Sequence, residues 1–149
     1  MKNLFDKETY KEISNRINNL SVSSQRKWGK MDVAQMLAHC KEAFKVPLSE
    51  KKMPRMFMGV LIGWAFKKQL YNEKAWKQNL PTAPNFIIKD SREFEKEKQE
   101  LTDLINQFYN GGPDNAGNFP HPMFGSFTKE QWGQSMYKHL DHHLQQFNA

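Results

Sequence analysis

The stretch Thr128-Lys-Glu-Gln-Trp132-Gly-Gln-Ser-Met136-Tyr-Lys-His139-Leu-Asp-His142-His143-Leu-Gln-Gln146-Phe147 decides how the chain is read. Thr128 with Gln131 three residues on is the capping-box pattern that opens a helix, and Phe127 can staple onto Trp132 across the cap. At about 100° per residue, Met136, Leu140 and Phe147 fall within roughly 80° of Trp132 and form an apolar stripe. His139 and His143 fall within roughly 20° of Trp132, inside that stripe. Gln146 lies beside them and His142 at the stripe's edge. Residues four apart are neighbours on one helix face, so the rings of His139 and His143 can converge on one point. Such a pair is a good half-site for zinc or nickel, because imidazole suits these ions and the helix fixes the separation. The plainer reading is that histidines near a helix C-terminus complement its dipole. That suits His142, but buried histidines need a partner for each ring nitrogen. No Glu follows His139, which disfavours the zincin protease motif.

Outward from this helix the periodicity stays helical. Tyr10, Ile13, Ile17 and Leu20 predict a first helix from about Asp6 to Asn19. After a polar stretch, Asp32 and Gln35 form a second capping box, and Val33, Met36, Leu37, Cys40 and Phe44 give the following helix its stripe; Pro47 ends it. A short helix is expected around Phe57 to Lys68 and a loop over Asn79 to Phe86, where Pro81 and Pro84 disfavour helix. Asp90 or Ser91 opens a long helix with Phe94, Leu101, Leu104, Ile105 and Phe108 along one side, stopped by Asn110-Gly-Gly-Pro113. No stretch alternates with period two. Four main helices, with a basic, apolar insertion between the second and third, predict an all-α antiparallel four-helix bundle in one domain, residues 1–149.

Composition narrows the function classes. The 149 residues, 38% hydrophobic and 26% charged, can bury a core without staples and are too apolar for a disordered chain. The single cysteine excludes an intrachain disulfide. The N-terminus lacks an apolar signal region, and the longest uncharged apolar run, Met56 to Phe66, is shorter than the about 20 residues a spanning helix needs. The expected compartment is the cytoplasm. Neither a phosphate-binding loop, a dinucleotide fingerprint, a G-x-S-x-G elbow nor a C-x-x-C pair is found.

The net charge of +6 is local: Lys41 to Lys77 holds nine basic residues against three acidic ones. Phe44, Phe57, Trp64, Phe66, Tyr71 and Trp76 interleave with these charges. Basic residues mixed with aromatics can bind nucleic acid or an anionic membrane surface, which would make this a non-enzymatic binding protein. The bland alternative is a solvated lysine face over core-packed aromatics. The segment could also attract an anionic substrate, or form a homodimer face through Met56, Met58, Val60 and Ile62. On its own helix His39 lies roughly 100° from the centre of the stripe, which predicts a half-exposed surface residue. Cys40 reads as a small core residue, Tyr137 as packing and Asp141 as solvated.

The close His139-x-x-His142-His143-x-x-Gln146 resembles the H-x-x-H-H-x-x-Q ending of the DinB-like (YfiT-like) superfamily of metalloenzymes, and Met36-Leu-Ala-His39 resembles its second-helix ligand motif. The wider pattern resembles one uncharacterised bacterial branch, a family of unknown function. It includes Trp28, Lys30-Met31, Gln35 to Cys40, Pro81-Thr82-x-Pro84, His121-Pro-x-Phe-Gly125 and Trp132 to Phe147. The resemblance implies a four-helix bundle with a divalent metal, zinc or nickel, held by His39, His139 and His143. It also implies a metal-dependent transferase or hydrolase acting on a small-molecule substrate, with a low-molecular-weight thiol such as bacillithiol, mycothiol or glutathione as cosubstrate. Where the superfamily commonly has Arg-Gly before the glutamine, this chain has Leu144-Gln145, so a shared thiol contact there is not implied. His121, His142 and Gln146 are the further candidates for catalytic or supporting roles, His121 as a proton shuttle at the mouth of the site.

Overall fold

The computed structural model describes residues 1–149, the side chains of Met58 and Asn85 excepted, and consists of five α-helices with no β-strand among the described residues. They are α1 (Lys7–Asn18), α2 (Val33–Phe44), α3 (Phe57–Lys67), α4 (Phe94–Gly111) and α5 (Lys129–Gln146). α2 packs against α4 and α5, and α1 against the same two helices. Among the described residues the backbone of α3 comes close to none of these four.

Local chemistry explains most of the boundaries. Asp32 and Thr128 each accept a bond from the backbone N–H three residues on, while Gln35 and Gln131 return bonds to the cap residues, so both capping boxes form. Phe127 packs tilted against Trp132 at 4.8 Å between ring centroids, closing the expected staple. α4 starts later than Asp90 or Ser91. Glu93 caps it, accepting from the backbone N–H groups of Glu95 and Lys96, while Asp90 is drawn into an ion pair with Arg92 at 2.9 Å. α4 runs through Gly111 and stops at Gly112, whose φ of +69° suits glycine. Within the proline loop, Pro84–Phe86 winds into one 3₁₀ turn, with Pro84 at the first position, where no N–H is needed.

The core follows the predicted stripes. Ile13, Ile17, Met36, Leu37, Cys40, Phe44, Leu101, Ile105, Phe108, Trp132, Met136, Leu140 and Phe147 are all buried, Tyr10 and Leu104 are only partly so, and Leu144 joins the core from outside the predicted stripe. Phe108 stacks on Phe5 at 4.5 Å and meets Phe44 edge-on at 5.6 Å, which ties the N-terminal segment, α2 and α4 together. Cys40 is fully buried, its Sγ 3.7 Å from Met36 Sδ; burial pushes its thiol pKa up, so it is a core residue and an inert one. Asp141 is not free in solvent: it pairs with Arg16 of α1 at 2.7 Å. Lys41 is likewise withdrawn from the basic surface, since its Nζ lies buried 2.5 Å from Glu97 of α4.

Candidate metal centre

α2 and α5 bring His39, His139 and His143 to one place. Their ring centroids are 4.7–5.0 Å apart, and one ligand nitrogen from each lies within 4.8 Å of the other two. His39 and His143 are buried, 5% and 8% exposed, and His139 is half-buried. The half-exposed position that periodicity gives His39 is therefore wrong. The insertion folds back over α2, and the 3₁₀ turn at Pro84–Phe86 covers the ring.

Hydrogen bonds fix the ring nitrogens. His39 Nδ1 lies 2.9 Å from the Phe86 carbonyl oxygen, which can only accept, so Nδ1 carries the proton. Gln146 donates from Nε2 to the Trp28 carbonyl at 2.7 Å, which turns its Oε1 toward His143. His143 Nδ1 then donates to Oε1 at 3.0 Å. In the neutral rings, both Nε2 atoms are consequently bare lone pairs. His39 Nε2 sits 3.0 Å from His139 Nε2, and His139 Nδ1 is buried with no hydrogen-bond partner among the described residues. Burial holds all three rings neutral: it lowers the pKa of His39, drives His139 well below its usual value with help from the neighbouring imidazoles, and brings His143 down to about 3. Neutral imidazoles with lone pairs converging from two helices are a suitable donor set for a transition-metal ion.

Gln146 is braced in turn. The turn before α2 passes so close that a Cβ at Gly29 would meet Gln146 Nε2 at 2.5 Å, and Gly29 has a φ of +83°. Only glycine suits both conditions. The Lys27 N–H also donates to the Gln146 carbonyl at 2.7 Å. Gly29, Gln146 and His143 thus form a line of support from surface turn to ring nitrogen.

His142 lies beside the cluster, between Trp28 at 5.8 Å and Trp76 at 5.4 Å. Burial lowers its pKa, and Asp141 partly offsets that. Trp76 also meets His139 edge-on at 5.9 Å. It is held by a bond from its indole N–H to the Gln69 carbonyl at 2.8 Å. Lys138 sits under the same segment, donating to the carbonyls of Gln69 and Asn72 and to the Asn72 side chain, each at 2.7 Å. The structure places His121 elsewhere. Its ring stacks on Trp132 at 5.8 Å, about two turns of α5 below His139. Its Nδ1 accepts from the backbone N–H groups of Met123 and Phe124, so it pins its own loop.

Trp76, Phe86 and Lys138 have no periodic or motif signal that would mark them for the site. Gly29 had one weak signal, as a glycine in a polar stretch just ahead of a capping box.

Residues 3–149 match the model of the family described as Protein of unknown function (DUF1569), and the chain belongs to that family. No curated protein and no solved structure matches the chain.

Proposed function

We propose that His39, His139 and His143 hold one divalent transition metal, zinc or nickel, and that the protein is a metal-dependent enzyme of the DinB-like kind. In this reading α1, α2, α4 and α5 form the four-helix bundle of a single domain, and α3 belongs to an insertion. One observation carries the proposal. The outer nitrogens of His39 and His143 are committed to fixed acceptors, so their inner nitrogens converge as lone pairs beside His139. A ligating histidine is oriented in this way, by its other nitrogen.

Such an ion, when bound, lowers the pKa of a water or thiol in its open position and supplies a nucleophile at neutral pH. Three neutral histidines leave the charge of the ion undiminished, which favours that ionisation. Gln146 keeps His143 in one tautomer and one orientation. His142, at the rim between two tryptophans, contacts the substrate and can accept a proton there. Trp28 and Trp76 wall the approach and exclude water from one side. The reaction class is transfer to, or hydrolysis of, a small molecule, with a low-molecular-weight thiol as the first cosubstrate to try.

Elemental analysis of protein purified without a polyhistidine tag tests the metal. About one equivalent of zinc or nickel is expected, lost in the His39→Ala/His139→Ala/His143→Ala variant. Stoichiometric metal retained in that variant overturns the site. A thiol-conjugation screen with the loaded protein then tests the chemistry.

A further inference from the structure

α3 is built inside out. It contains no charged residue from Phe57 to Phe66, yet among the described residues its backbone comes close to no other α-helix. It rests instead on the loop after His121. The Met56 N–H donates to the Pro122 carbonyl at 3.0 Å, and Lys67 Nζ reaches the Ser126 carbonyl. The face turned to that loop is made of glycine. A Cβ at Gly59 or Gly63 would meet Met123 O at 2.4 or 2.2 Å. With glycines inward, the large apolar side chains project outward: Phe57 is 75% exposed, Trp64 77%, Val60 57%, Leu61 54%, Phe66 49% and Ile62 42%. Phe57, Val60, Leu61 and Trp64 lie within roughly 100° of one another around the helix and form one outward face, with Ile62 and Phe66 outside it. Folded proteins rarely leave such a face bare.

The charges beside it have one sign. From Lys51 to Lys68 there are five basic residues, Lys51, Lys52, Arg55, Lys67 and Lys68, and no acidic one. Among the described residues none of the five forms an ion pair. Eleven residues make a helix of roughly 16 Å, about half of the hydrocarbon thickness of a bilayer. The helix is therefore too short to span and suited to lie at the boundary, with Trp64 and Phe57 among the headgroups and Lys51 and Lys52 against lipid phosphates.

We propose that α3 and its flanking lysines dock the protein on an anionic lipid surface. The patch and its charge are separate from the three histidines, so this docking stands or falls independently of metal binding.

The test is cosedimentation of the full chain with vesicles of phosphatidylcholine containing phosphatidylglycerol, and with pure phosphatidylcholine vesicles, at low and at raised salt. The protein should pellet with the anionic vesicles at low salt, more weakly at raised salt, and not with the neutral ones. Lys51→Ala/Lys52→Ala should weaken binding by roughly 30-fold, at about 1 kcal/mol per basic residue near the surface. Leu61→Ser/Trp64→Ser should abolish it, with helix content and metal content checked against the wild type. Failure of the wild-type protein to pellet at low salt overturns the proposal. So does a wild-type dimer in sedimentation equilibrium that the Leu61→Ser/Trp64→Ser variant turns into monomer, since the face would then belong to a second copy. Salt-sensitive binding of single-stranded RNA through the same residues, in place of vesicles, also overturns it.

Discussion

The three-histidine cluster and α3 are opposite violations of the same rule. Between α2 and α5 three polar rings lie where apolar side chains belong; on α3 six apolar side chains stand where polar ones belong. Each departure has a local device behind it. The histidines are tolerated because Phe86 and Gln146 satisfy two of their nitrogens and burial keeps the rings neutral. The apolar side chains are turned out because Gly59 and Gly63 occupy the face that the loop approaches. A fold that bears such costs in two places makes both the first places to test for binding.

Two tryptophans give the sharpest contrast and the largest expected effect. Trp132 is 2% exposed in the core of α5, and Trp132→Ala should cost about 3–5 kcal/mol in urea unfolding. A loss below about 1 kcal/mol would mean that α5 is packed differently.

Acidification strikes the same region. His143 has its pKa pushed down to about 3 and His121 to about 4, both by burial first. These folded values lie below the ordinary value of about 6.5 expected for the unfolded chain. The stabilisation from keeping the rings neutral is thus complete above pH of about 6.5 and is lost as pH falls toward 4 and then 3. Chelator-treated protein should melt at a constant temperature from neutral to mildly alkaline pH and several degrees lower by pH of about 4. A flat profile across that range would deny that these rings are buried and neutral.

A smaller effect probes the line of support behind His143. Gln146→Ala removes the acceptor of its Nδ1 and should weaken metal affinity by roughly 10–100-fold while leaving the three ligands in place. Competition with a chromogenic chelator measures it; unchanged affinity would show that the glutamine orients nothing. The smallest effect belongs to the other region. Trp64→Ala should change stability by no more than about 0.5 kcal/mol, because the side chain is 77% exposed. A cost comparable to that of Trp132→Ala would show that α3 packs on the core and would end the contrast.

Much of the helical framework was legible from spacing. Asp32 with Gln35, and Thr128 with Gln131, mark helix starts within four residues of chain, and the stripes of α1, α2, α4 and α5 name their buried residues. The placing of His139 and His143 on one buried face was legible for the same reason. His39 was not: a wheel reports which side chains share a face, not which face another segment will cover. The resemblance of Met36-Leu-Ala-His39 to a second-helix ligand motif pointed to it where periodicity did not. The aromatics of α3 misled in the opposite direction. Read as strongly apolar, they suit a core, but the two glycines determine which way the helix turns.

The sequence by itself determined the main helices, the capping boxes of α2 and α5 and the pairing of two histidines, because these depend on residues three and four apart. Only the tertiary structure decided that His39 joins them, that Trp76 and Lys138 stand at the rim, and that α3 faces outward. Each of these depends on contacts between residues tens of positions apart, and no local periodicity encodes the return path of a chain.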